Sequence, residues 1–195
     1  VAIDEATGCL LELDDYYDET FKFRDVTYDL PVNVKDPDFS EEDDERVVTF
    51  EAIQNSFNSL TGTLHGGGDI GKYIDMESWA KFWLVNDLVR NAETHHPKSC
   101  YLFNENPAGG EKWKFGPAWD FDWAWGNSMY DIMTDFPEGW QTTDEYFANE
   151  QYYQTVQWNR CLVRDPYFLQ LVYEKYKEIR PTTIENMIKE EGLID

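Results

Sequence analysis

Basic residues are scarce: 16 Lys and Arg stand against 39 Asp and Glu, a formal net charge of −23 over 195 residues. Nucleic-acid affinity rests on cations that neutralise phosphates, so this balance argues against a nucleic-acid partner. Cysteine is nearly as rare. Cys9, Cys100 and Cys161 are too few and too scattered for a disulfide framework or a zinc motif, and their apolar flanks read as buried thiols. Histidine numbers 3, and because His95 and His96 are adjacent with only His65 elsewhere, a zinc site is unattractive. No run of 18 apolar residues exists to cross a bilayer. No basic stretch followed by an apolar one marks a signal peptide, and with Val1 as first residue the compartment stays open. Internal repeats and low-complexity tracts are absent as well.

What is abundant is aromatic. With 42% hydrophobic residues, Trp 8, Tyr 12 and Phe 12, the chain can bury one sizeable core. The acidic run "SEEDDE" reads as a solvated negative surface, and the acidity as a whole suits divalent cations.

Residues 8 to 35 alternate as strands do, in "GCLLELDD", "TFKFRDV" and "PVNVKD" separated by turn formers, which predicts a small antiparallel sheet. From Ser40 the period changes. Ser40 with Asp43 reads as a capping box, and Phe50, Ile53, Phe57 and Leu60 follow at helical spacing, giving an amphipathic helix that ends near Gly62. The loop "LHGGGDIG" follows a helix and lacks the Lys-Ser or Lys-Thr of a phosphate loop, so it reads as a connector. Asp75 caps a second helix, "MESWAKFWLVNDLVRNAE", apolar over much of its circumference and therefore central. "KSCYLFNEN" and "EKWKFGPAWDFDW" then form a hairpin through "NPAGGE". An irregular stretch to about Thr143 precedes helices near 145 to 164, 166 to 179 and 182 to 190, the middle one opened by Asp165 and Pro166.

The chemistry concentrates in "KWKFGPAWDFDWAWG", where Asp120 and Asp122 sit in the most aromatic run of the chain. On a strand, residues two apart share a face, so their Cα atoms would lie roughly 6.5 to 7 Å apart, with Phe121 pointing into the core. Two carboxylates on one face can share a hard cation such as magnesium, which keeps waters and completes its shell with phosphates. The polar cluster of Asn91, Glu93, His95, His96 and Lys98 leads into the paired strand. Asn91 offers an amide ligand, Glu93 a general base and Lys98 a phosphate contact. Singly, each also fits an ordinary helix-end or surface residue.

In order, "GCLLELD", "YIDMESWAKFWLVNDLVRNAETHHPKSCYLF" and "KFGPAWDFDWAWG" resemble the CotH (spore coat protein H) kinase family, bacterial relatives of atypical protein kinases, from about Gly8 to about Pro181. The Trp-Asp-x-Asp element is the most specific mark. The resemblance implies that Glu93 acts as the catalytic-loop acid of kinases, that Asp120 and Asp122 hold the metal on ATP, and that Ser99 stands near a position usually occupied by asparagine in the nucleotide site. Kinase-active members carry aspartate where this chain has Glu93. Glutamate reaches one methylene further, and misplacing a base by about 1 Å can cost on the order of a hundredfold in rate. A phosphate-contacting N-terminal portion of the family is expected upstream of Val1, so the 195-residue chain is expected to fold yet to be inactive alone.

The expected fold is α+β: a β-rich part over residues 1–38 and a mainly helical lobe over 39–195 carrying a hairpin near 99–124. The resemblance makes it kinase-like, a C-terminal lobe with the end of the N-terminal sheet. The expected function is ATP-dependent and magnesium-dependent phosphoryl transfer to a protein serine or threonine, with calcium or manganese as other hard ions. The competing reading is a non-catalytic calcium-, glycan- or protein-binding domain of a bacterial surface or secreted protein.

Overall fold

The first three strands and a later hairpin share one sheet. In the computed structural model, which describes residues 3–40, 45–94, 98–127, 158 and 160–189, these are β1 (Cys9–Leu13), β2 (Lys22–Arg24), β3 (Pro31–Asp36), β4 (Cys100–Asn104) and β5 (Lys114–Phe115). Their order is β2-β3-β1-β4-β5 and every ladder is antiparallel. β1 is the central strand. Leu11 lies opposite Val34 and Leu102, and Leu13 opposite Val32 and Cys100, all buried. The two-residue period turns Glu12 to the other face, opposite Asn33 and Tyr101.

Helices fill the space beside the apolar face. α1 (Phe50–His65) buries Ile53, Phe57, Leu60 and Leu64 at helical spacing. The Phe57 ring lies 5.8 Å from both Phe23 and Trp113 and 5.7 Å from Trp158. α2 (Met76–Leu88), capped by Asp75 through the Ser78 N–H, buries Trp79, Ala80, Trp83 and Leu84. Trp79 stacks on Phe115 at 4.9 Å, which fixes α2 against the hairpin. α3 (Pro166–Ile179) begins as its sequence implies, with Asp165 accepting from the N–H groups of Tyr167 and Phe168 at 2.8 and 3.2 Å. Its Phe168 packs against Trp79 and Trp83. A wide turn over Arg180–Ile184, where Pro181 lacks an N–H, leads to α4 (Glu185–Ile188). No helix among the described residues is long and apolar enough to cross a membrane.

Several boundaries move. α1 starts at Phe50 rather than near Ser40, because the Ser40 hydroxyl bonds Asp38 and the N–H groups of Val47 and Val48 bond Ala6 O. Thr49 is the cap, accepting from Ala52 N–H at 3.1 Å. The helix passes through Gly62 to His65. Residues 41–44, with the rest of the expected capping box, lie outside the described residues, as do the irregular stretch and most of the helix expected at 145 to 164. Cys9 and Cys100 are buried, and burial pushes the Cys9 thiol up to about 12; Cys161 is half-buried.

Two substitutions separate these helix starts. Thr49→Ala should cost about 1 kcal/mol of unfolding free energy, whereas Ser40→Ala should change little. Phe57→Ala should cost about 3–5 kcal/mol. Urea denaturation followed by tryptophan fluorescence measures all three, and equal losses at Ser40 and Thr49 would contradict the observed helix start.

Candidate functional site

The site begins where α2 stops. Arg90 adopts φ 51, a left-handed conformation that a helix cannot continue. Its N–H bonds Asp87 O at 3.2 Å, and the Asn91 N–H bonds Asn86 O at 2.9 Å, the paired bonds of a Schellman turn. The helix therefore ends at Leu88, five residues short of the expected Glu93. Asn91 and Glu93 lie beyond the reversal, Glu93 in a 3-10 turn over Ala92–Thr94. The buried Asn91 side chain is spent internally: Nδ2 donates to Asn86 Oδ1 at 2.9 Å and Oδ1 accepts from the Glu93 N–H at 3.2 Å. His95 and His96 lie outside the described residues.

The aspartates come from the hairpin side, though not from a strand. Gly116 N–H makes the last bond, to Tyr101 O, and Pro117 has no N–H to continue the ladder. Asp120 then sits at φ 54 in a turn, so Asp120 and Asp122 do not share a strand face. Phe121 is half-buried rather than a core residue. The turn is tied to α2 instead. Trp125 N–H donates to Val89 O at 2.7 Å, and Asn91 Nδ2 reaches Asp120 O at 3.5 Å. Asp120 Oδ2 accepts from Ser99 Oγ and its Oδ1 from the Asp122 N–H, each at 3.4 Å.

The structure thus brings Asn91, Glu93, Lys98, Ser99, Asp120 and Asp122 to one place. It also adds Asp14, which follows β1 and is 7% exposed. Asp14 Oδ1 accepts from Tyr16 N–H at 2.7 Å and Oδ2 from Ser99 N–H at 3.4 Å. The signal was present in "LELDD": continuing the period of two puts Asp14 on the Glu12 face of the sheet.

Acids crowd together here. Burial, then Asp120, Asp122 and Asp14, raise Glu93 from 4.5 to about 7 against the opposing pull of Lys98. Burial also raises Asp14, with Glu12 adding to it. Glu12 itself is matched by Lys35 at 3.3 Å. For Lys98, burial disfavours the charge, but Tyr16, Asp14 and Glu93 outweigh it and hold its pKa above the ordinary value. Its Nζ lies 4.0 Å from the Tyr16 ring centre and 5.2 Å from that of Trp123.

The donor set suits a hard cation. Among the described residues Glu93 Oε2 is buried without a hydrogen-bond partner, which is costly for a carboxylate unless a cation offsets it. Among the described residues no three His, Cys, Asp or Glu side chains close around one point. An ion that draws most ligands from water and phosphate, as magnesium does, is consistent with that. A groove of about 450 Å³ between α2 and the segment after β5, lined by Asp75, Ser78, Phe82, Phe115 and Gly116, borders this network at Asn86 without including Glu93, Asp120 or Asp122.

The family model described as CotH kinase protein matches residues 4–191. No curated protein and no solved structure matches the chain.

The raised Glu93 has a consequence for stability. Between pH 4.5 and about 7 the folded chain holds a proton that the unfolded chain releases, so this group's contribution falls as pH rises through that window. Glu93→Gln removes the penalty. Its melting temperature should gain on the wild type from pH 5 to pH 8, and a constant difference across that range would contradict the crowding described.

Proposed function

The chain belongs to the CotH kinase family, and on that premise we propose that it serves ATP-dependent and magnesium-dependent phosphoryl transfer to the serine or threonine hydroxyl of a protein. The observation that carries this reading is Glu93, a buried carboxylate with an unpartnered oxygen and a pKa near 7, in the field of Asp120, Asp122 and Lys98.

Glu93 takes the proton of the acceptor hydroxyl, a task suited to a base whose pKa lies near ambient pH. Asp120 and Asp122 offer hard carboxylate oxygens to magnesium, or to manganese or calcium. Magnesium, when bound, neutralises charge on the β- and γ-phosphates. Lys98 contacts a phosphate as a point charge. Ser99 and Asn91 hold Asp120, one at its carboxylate and the other at its carbonyl. Turnover is assigned to the full-length protein, in a bacterial surface or secreted setting, and magnesium-dependent nucleotide binding to this chain.

Calorimetric titration of ATP with and without magnesium tests the reading. Binding should require magnesium and be lost in Asp120→Asn. In the full-length protein Glu93→Gln should retain that binding while transfer to serine falls about 10²–10⁴-fold. ATP binding indifferent to magnesium, or a thermal shift with calcium and none with magnesium and ATP, would favour the non-catalytic binding domain.

A further inference from the structure

Asp14 belongs to none of the roles above, yet its carboxylate is the link between the sheet and the acid site. It is buried at the end of the central strand, and among the described residues it makes no ion pair, unlike its neighbour Glu12 on Lys35. One oxygen serves a local turn through the Tyr16 N–H. The other spans 85 positions of sequence to the Ser99 N–H. Ser99 is held at φ 53, and its hydroxyl donates to Asp120 Oδ2. Both Ser99 contacts are 3.4 Å, at the long end of hydrogen bonding. The second, independent pointer to a ligand is Glu93 Oε2, unpartnered on a side chain 6% exposed that feels both Asp14 and Asp120.

We propose that Asp14 is a positioning residue: through the amide and hydroxyl of Ser99 it aims the Asp120 carboxylate for a divalent cation. The inference rests on the metal role given above to Asp120. A carboxylate that orients a ligand through one intermediary acts as outer-shell partners do, whose loss typically costs 10–100-fold in metal affinity. Asparagine at position 14 keeps one carbonyl oxygen for the Tyr16 turn and lacks the second acceptor for Ser99.

The test is a double-mutant cycle on the 195-residue chain with terbium as the probe ion. Its luminescence is sensitised by nearby tryptophan, and each variant is checked by thermal melting. Asp14→Asn and Ser99→Ala should each weaken terbium binding by roughly 10–100-fold, with melting temperatures close to wild type. Because both act through one chain of bonds, the double variant should be little worse than the weaker single one. Ser99→Ala removes no charge, so its loss separates positioning from simple attraction. Asp120→Asn is the reference. If it abolishes terbium binding while the losses of the other two are absent or fully additive, the Asp14 proposal is overturned and the metal reading stands. If Asp120→Asn leaves terbium binding intact, the metal reading falls and the Asp14 proposal with it.

Discussion

The Asn91 N–H reaching back to Asn86 O, 2.9 Å away, is the bond on which the site depends. α2 is immobilised by its buried indoles, Trp79 against Phe115 and Trp83 against Phe168, so its last turn is a fixed point in the molecule. Reversing the chain there leaves carbonyls that need donors. Val89 O takes the Trp125 N–H, and that single bond draws the aspartate turn onto the helix end. The Asn91 amide then braces both sides, toward Asp120 and toward Glu93. Two segments distant in sequence are thereby held by backbone groups at the end of one rigid element, as a precise constellation requires.

Charge is the second constraint. A chain at −23 can leave nearly all its acids in water, where they cost little, so the exceptions inform. Glu12 is buried with Lys35 beside it, and Asp25 is buried with the N–H groups of Thr27, Tyr28 and Leu30 on its oxygens. Those two are accounted for by structure alone. Glu93 is not: among the described residues one of its oxygens has no partner, and the charges around it are mostly of its own sign. Lys98 moderates the cluster without closing it, since its ammonium also leans on the Tyr16 and Trp123 rings. Packing gains nothing from this arrangement, whereas a divalent ion with a polyphosphate would supply charges that the cluster could use.

Much of this could be read from sequence, and the losses have specific causes. Alternation located the sheet and helical spacing located α1, because these patterns express burial on one face, while α2 was legible from its apolar circumference. Asp75 and Asp165 were legible as caps since cap chemistry is local. The start of α1 was misread because Ser40 and Asp43 carry a capping pattern while the chain before Thr49 is tied to Ala6 instead, a contact between residues far apart. The strand through Asp120 was misread for a similar reason. "FGPAWDFDW" alternates, but Pro117 ends the ladder and the turn is fixed by Val89. The strand period sets Asp14 apart from Asp15 and puts it on the Glu12 face, but nothing local in the sequence shows what that face meets. The importance of Asp14 arises from Ser99, which only the pairing of β1 with β4 brings near.

Backbone strain marks the same place independently of charge. Among the described residues, six other than glycine have positive φ, and four of them are Arg90, Ser99, Asp120 and Trp125. Each such conformation costs about 1–2 kcal/mol. A glycine at the helix end would reverse the chain with less strain, and asparagine is the usual alternative. That arginine, serine, aspartate and tryptophan hold these conformations together means the surrounding core over-determines them. The interlocked rings of Phe57, Trp158, Trp79 and Phe168 provide that rigidity. Strain, an unpartnered buried carboxylate and like-charge crowding are three separate penalties. They coincide where the end of α2 meets the turn after β5, two segments distant in sequence, so local chain preference does not account for their being together. What they have in common is the geometry they give Glu93 and Asp120, and the reading that uses both residues also accounts for why the rest of the fold supports that strain.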